Sequence, residues 1–206
     1  MLTGSASART ALAAVNTPSH FVLNLVLLGR VAAPSANGAI ALGAILPDVP
    51  IFVFYAAAKL RGLPESEIWS TAYYEPFWQT LVAIGHSLPL ALLGLMTSRA
   101  YGWHAGTFVC LSLICHSLLD LPVHNSDAHR HFFPLNDYRF ISPVSYWDPN
   151  HYGHIAAPVE LLLVLAATPF FFALTRSLPV QGIVIAIDLL YVFGYCRFYL
   201  LAPSGN

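Results

Sequence analysis

The sequence predicts an all-α protein: a polytopic membrane helical bundle of five to six transmembrane helices, with a long polar loop covering a polar pocket. Three observations lead there. Apolar residues make up 57% of the 206-residue chain and charged residues only 9%, whereas soluble domains run at about 45–50% and about 25%. Mean hydropathy is +0.64. Apolar runs approaching the roughly 20 residues that a helix needs to cross a bilayer core recur along the chain. No internal repeat or low-complexity tract divides it, so residues 1–206 read as a single integral membrane domain.

The first segment, about His20–Ala33, is short, with Arg30 near its end. The second, about Gly38–Leu60, is interrupted by Pro47-Asp48-Val49-Pro50. The third, about Pro76–Met96, contains His86 and Pro89, and the fourth runs about Trp103–Leu121. The polar loop occupies about Pro122–His154. The fifth and sixth segments are about Ile155–Leu174 and about Val180–Leu201. The first fifteen residues are small and polar with one arginine and lack the apolar run of a signal peptide, so no cleavage is expected. Counting basic residues in alternate loops puts Arg9, Lys59, Arg61, Arg130 and Arg139 on one side and Arg30, Arg99 and Arg176 on the other. The positive-inside bias therefore places the long loop in the cytoplasm.

Composition also excludes function classes. A formal net charge of -1 leaves no polybasic surface for nucleic acid or anionic lipid. Cys110, Cys115 and Cys196 lie in apolar stretches and form no C-x-x-C pair, so they read as small buried hydrophobes.

The densest chemistry is the stretch HSLLDLPVHNSDAHRH, which holds His116, Asp120, His124, Asp127, His129 and His131. Acids and imidazoles are costly near a membrane and mark function by default. His116 and Asp120 are four apart and share a helix face, the spacing at which two ligands grip one ion. Pro122 disfavours helix at Leu121, so His124 need not continue that face. With helix directions alternating, His20, Asp48, His86, His116, Asp120 and Glu160 all fall in the membrane half facing the long loop, which predicts one converging pocket. Nitrogen and carboxylate donors without thiolate suit a divalent ion such as zinc, manganese or iron and suit calcium poorly. The candidates outnumber the ligands of one four-coordinate zinc, so one or two ions fit, with Asp48 or Asp120 bridging in the second case. Among the loop residues, His129 is the candidate for a further ligand, Asp127 and His124 for proton transfer, and Arg130 and Arg139 for holding a phosphate.

Each residue also has a structural alternative. His20 suits a helix start at the interface, and Asp48 suits backbone groups freed by the proline kink. His86 suits a hydrogen-bonded core histidine, and the loop residues suit ordinary loop polarity. His104 beside Trp103 reads as structural, Asp188 as paired within the bundle, and Glu160 as close enough to the interface to snorkel. Tyr146, Trp147 and Tyr152 suit the headgroup level, and His151 and His154 suit either ligands or caps at the pocket mouth.

These elements resemble a family of membrane-bound metal-dependent hydrolases of bacterial inner membranes, the group that includes a LexA-regulated member. The resemblance rests on an early histidine (His20), on Gly43-Ala44-Ile45-Leu46-Pro47-Asp48, on His86-Ser87, and on His116-Ser117-Leu118-Leu119-Asp120. It covers about residues 20–135. It implies an integral protein of the inner membrane, with His20, Asp48, His86, His116 and Asp120 as metal ligands. The chain departs from the pattern at Val49 and Pro50, where many members carry an acid and an arginine, and residues 136–154 have no counterpart. A more distant likeness is to zinc-dependent phospholipase C and related single-strand nucleases, through His116, Asp120 and His124. The membrane setting favours a lipid over a nucleic acid.

The expected function is therefore a membrane-embedded metal-dependent hydrolase acting on a lipid ester or phosphoester at the interface, with membrane lipid as partner. A metal-ion transporter or non-enzymatic membrane protein is the first alternative, because Asp48 and His86 lie inside apolar segments. A di-iron histidine-box oxidoreductase is the next. His129-Arg130-His131 and His151-Tyr152-Gly153-His154 approach its motifs without supplying an adjacent histidine pair. A bis-histidine haem or chromophore site, such as His20 with His86, lacks an attachment motif.

Overall fold

The computed structural model describes residues 16–201, and every regular element among them is helical. Arg9 and the expectation of an uncleaved N-terminus lie outside the described residues. Helix α1 (Asn16–Gly29) leads through a short turn at Pro34–Ala36 into α2 (Asn37–Ile45). A single 3-10 turn, Leu46–Asp48, joins α2 to α3 (Val49–Leu60). Pro47 and Pro50 each sit at the start of an element, where a missing N–H costs nothing. The apolar run therefore continues through both prolines from Pro34 to Leu60, over 27 residues, with Asp48 at its joint.

After the short α4 (Glu65–Ser70) come α5 (Pro76–Gly85) and α6 (Leu88–Ala100). These two meet at a 43° bend. The bend falls at His86-Ser87, with Pro89 in the first turn of α6 and the Ser87 hydroxyl accepting from the Leu90 N–H at 3.1 Å. Helix α7 (His104–Asp120) stops just before Pro122, as expected. Residues 121–148 then run without a helix, and a turn at Pro149–His151 leads into the hairpin of α8 (Gly153–Leu174) and α9 (Leu178–Tyr195).

Three helical runs are long and apolar enough to cross a membrane: 34–60, 153–174 and 178–195. The bent pair α5–α6 makes a fourth if counted as one span. The first and fourth expected segments fold as apolar helices of 14 and 17 residues. At 1.5 Å per residue these reach about 21 and about 26 Å, short of the roughly 30 Å hydrocarbon core. The expectation of five to six spans had counted both.

One core joins α1, α2, α8 and α9 through Val22, Leu25, Ile40, Val164, Phe171 and Val184. A second packs Phe54, Ile68, Tyr73 and Val82 together, with Trp69 and Trp78 against it. Between them runs a polar seam. Asn24 donates to the Ser112 carbonyl at 3.0 Å and to its hydroxyl at 2.9 Å, and that hydroxyl donates to the Ile40 carbonyl at 2.7 Å. These bonds tie α1, α2 and α7 together where apolar burial alone gives no drive to associate.

Candidate metal centre

Two glycines let the elements that carry the polar residues approach closely. A Cβ on Gly43 of α2 would lie 2.4 Å from the Val109 carbonyl oxygen and 2.7 Å from the Ser112 Cβ of α7. A Cβ on Gly85, at the end of α5, would lie 2.9 Å from the Cα and the carbonyl oxygen of Pro47. With no side chain in the way, the turn holding Asp48, the bend holding His86 and the end of α7 holding His116 and Asp120 meet at one place.

The histidines are held there in one tautomer. His86 Nδ1 lies 2.9 Å from the Val82 carbonyl, and His116 Nδ1 lies 2.8 Å from the Ala44 carbonyl. A carbonyl only accepts, so each Nδ1 carries the hydrogen and, in the neutral ring, each Nε2 presents a lone pair. Both Nε2 atoms are buried without a hydrogen-bond partner. What they face is carboxylate. His86 Nε2 is 3.4 Å from Asp48 Oδ1 and 3.4 Å from Asp120 Oδ2; His116 Nε2 is 3.6 Å and 3.2 Å from the same two atoms. Lone pairs opposed to carboxylate oxygens in a buried site repel unless a proton or a metal ion lies between them, and the carboxylates of Asp48 and Asp120 favour either. A histidine whose far nitrogen is fixed by a carbonyl is the usual geometry of a metal ligand.

The carboxylates are oriented too. Thr17 donates to Asp48 Oδ2, which leaves Oδ1 toward the two imidazoles. Asp120 divides its oxygens: Oδ2 faces His86 and His116, while Oδ1 lies 2.8 Å from His20 Nε2 and 3.5 Å from His124 Nε2. The His20 ring stacks on His116 with centroids 3.8 Å apart. Three overlapping sets of ligand atoms result, each within 4.8 Å of one another: His20, His116 and Asp120; Asp48, His86 and His116; His86, Asp120 and His129. Together they comprise His20, Asp48, His86, His116, Asp120 and His129, all buried. Such a cluster can hold a metal ion.

Residues of the segment after α7 lie against this cluster. His124 Nδ1 is 3.1 Å from Asp127 Oδ2, and the Trp147 indole donates to the same oxygen at 3.3 Å. Burial opposes a charge on His124, yet the carboxylates of Asp127 and Asp120 outweigh it and hold the imidazole well above its ordinary range. Burial likewise opposes a charge on Asp127, and His124 outweighs it and pulls the carboxyl down. His129 and His131 go the other way: burial, with the imidazole of His86 adding to it, pushes His129 well below its ordinary range and His131 down to about 4.

Arg130 donates to Asp137 at 2.7 Å and to the Gln79 carbonyl at 3.0 Å. Arg139 donates to the Ala128 carbonyl at 2.6 Å and to the Gln79 side chain at 2.8 Å. Both arginines thus fasten the segment to α5. Tyr146, expected at the headgroup level, is buried with its ring 5.0 Å from that of His124, because its N–H is bound to the Val123 carbonyl. Trp147 turns in through its bond to Asp127, while Tyr152 is exposed. His151 pairs with Asp148 at 2.8 Å, His154 is exposed, and His104 is exposed at the far end of α7.

The residues that sequence reasoning passed over are those that hold the site. Thr17 fixes Asp48, the Ser117 hydroxyl donates to the His86 carbonyl at 3.0 Å, and the Ser87 hydroxyl donates to the Phe133 carbonyl. A signal for the serines was present: a Ser follows both His86 and His116. Thr17, three residues before His20, carried none. No family model matches the chain, and neither the curated proteins nor the solved structures compared with it include a match.

Proposed function

We propose that the chain is a membrane-embedded metal-dependent hydrolase that acts on a lipid ester or phosphoester at the membrane interface. In this reading a divalent ion, zinc by its donor set, is held by Asp48, His86, His116 and Asp120, and His20 steadies Asp120. The observation that carries it is the set of four imidazole–carboxylate separations of 3.2–3.6 Å between buried atoms. Zinc bonds to nitrogen and oxygen of about 2.0–2.2 Å imply tetrahedral edges of about 3.3–3.6 Å. The motifs that resemble the inner-membrane hydrolases fall on the same four residues.

Four protein ligands fill a tetrahedral zinc, so a water or an ester or phosphoryl oxygen would reach such an ion only by adding a fifth ligand or displacing one carboxylate, and there the ion would acidify the water or polarise that oxygen. The chain's own residues supply the rest. His124, held in its protonated form by Asp127 and Asp120, is the group placed to donate a proton to a leaving oxygen. Arg130 and Arg139 commit their Nη atoms to the loop and to α5, so they serve the site by holding the segment that carries His124, Asp127 and His129. The apolar runs keep the site within reach of lipid, with α1 and α7 as shorter helices packed among the spans.

A metal-ion transporter is the second reading, favoured by the 43° bend between α5 and α6 at His86, since transporters place ion ligands at breaks in their helices. The test is metal content by mass spectrometry on the detergent-purified protein, followed by turnover on lipid esters and phosphoesters. Stoichiometric zinc, absent from the His116→Ala/Asp120→Ala variant, with metal-dependent turnover, is the expected result. Metal content equal in both proteins would remove the site. Metal without turnover, together with ion flux in proteoliposomes, would transfer the assignment to transport.

A further inference from the structure

The segment between α7 and α8 folds back on itself. The Tyr146 N–H donates to the Val123 carbonyl at 2.9 Å, and the Ser142 N–H donates to the His124 carbonyl at 3.0 Å. Further out, Arg139 reaches the Ala128 carbonyl and Arg130 reaches Asp137. Each tie joins residues about equally far from Phe133 and Pro134, so the segment is a hairpin with its tip at residues 132–136. There the Leu135 and Asn136 N–H groups both donate to the Phe132 carbonyl, at 2.9 and 3.3 Å, and turn the chain.

The tip is seated at the bend between α5 and α6. The Leu88 N–H donates to the His131 carbonyl at 2.9 Å, and the Ser87 hydroxyl donates to the Phe133 carbonyl. Ten helical residues precede the bend and thirteen follow it. Taken as one span, the pair therefore has its bend near mid-depth, about 15 Å from the start of α5 at 1.5 Å per residue, well inside a hydrocarbon core of roughly 30 Å. The two arginines reach the other way, to the carbonyl and side chain of Gln79 near the start of α5. Long basic side chains at a membrane boundary send their charged heads toward water in this way.

What the hairpin exposes is apolar: Leu135 at the tip is 77% exposed and Ile141 on the returning arm 64%. The bent pair exposes Ile84, Leu92 and Leu93 within two turns of the contact, so tip and pair present apolar surface at the same level. Backbone at hydrocarbon depth has to be satisfied from within the protein. Here the Phe133 N–H goes to the Arg130 carbonyl, those of Leu135 and Asn136 to Phe132, and that of Tyr138 to the Asn136 side chain at 2.9 Å, while Pro134 has none. We propose that residues 130–141 are a re-entrant hairpin whose tip enters the leaflet beside the α5–α6 bend, where lipid acyl chains cover Leu135 and Ile141. The same hairpin carries His129, whose ring lies 4.0 Å from that of His86, so it touches lipid and the His/Asp cluster at once. This placement depends on α5–α6 crossing as one span and not on a bound metal.

The test puts a nitroxide on Leu135→Cys, in a background of Cys110→Ser, Cys115→Ser and Cys196→Ser, in phosphatidylcholine vesicles. Its collisions with oxygen, which partitions into hydrocarbon, are compared with those of a water-soluble nickel chelate. Leu163→Cys, exposed on the span α8, is the lipid reference, and Glu67→Cys, exposed on α4, is the water reference. An oxygen-to-nickel ratio at Leu135→Cys that matches Leu163→Cys and lies several-fold above Glu67→Cys is expected. A ratio matching Glu67→Cys would overturn the hairpin and put the segment in water. The unaltered protein supplies a reading that needs no variant to fold. A phosphatidylcholine with a diazirine in its acyl chain should label residues 132–141 as well as α8, and label on α8 with none on 132–141 would overturn the proposal equally.

Discussion

The His/Asp cluster and the α8–α9 hairpin both place acids in an apolar setting, buried in the first and half-buried in the second, and they treat them in opposite ways. In the hairpin every acid meets a hydroxyl. Tyr191 donates to Glu160 at 2.9 Å, and Thr168 reaches both oxygens of Asp188 at 3.0 and 2.9 Å. Neither acid depends on a cation to be satisfied. In the cluster Asp48 and Asp120 face imidazole nitrogens whose hydrogens are committed elsewhere. The same residue type is therefore a packing element in one region and a candidate ligand in the other. What separates them is the donor or lone pair opposite, together with the deeper burial of Asp48 and Asp120.

Matched substitutions test that contrast. Asp48→Asn keeps the shape and the bond to Thr17 but removes the charge. Loss of a ligand exceeds the roughly 10–100-fold affinity cost typical of an outer-shell partner, so zinc affinity is expected to fall more than about 100-fold while the protein still inserts. Competition with a chelator measures it, and unchanged affinity would reduce Asp48 to a residue of the proline joint. Thr17→Val comes next. It removes only the bond that turns Asp48, so the expected loss is about 10–100-fold, with the same zinc stoichiometry at saturation. Asp188→Asn is the smallest. It leaves an oxygen to accept from Thr168, and such a bond within a membrane bundle contributes about 0.6 kcal/mol on average. Metal content should not change, and thermal stability in detergent should shift by no more than a few degrees. Loss of metal from this variant would erase the distinction between the two regions.

Much of the site was legible in the chain because its signals are local. His116 and Asp120 share a face through helical spacing alone, and Pro122 ends the helix where expected. The two prolines around Asp48 mark an element joint in any context. His131 lies in the same histidine-rich stretch as His129, but nothing in the spacing distinguished a satisfied loop histidine from one with both nitrogens unpartnered. The arginines looked free for an anion because a sequence does not reveal that the Gln79 carbonyl and side chain lie across from them.

The sequence by itself determined that the chain is helical, apolar enough for a membrane, and equipped with nitrogen and carboxylate donors near the ends of its apolar runs. Composition and turn-by-turn periodicity set those properties, and both act over a few residues. Only the tertiary structure decided which atoms meet. The bond from His116 to Ala44 spans 72 positions of sequence, and it forms because Gly43 and Gly85 let backbones approach where any side chain would hold them apart. Tautomers and the division of the Asp120 oxygens follow from that packing, since each depends on distances between elements that no local pattern encodes.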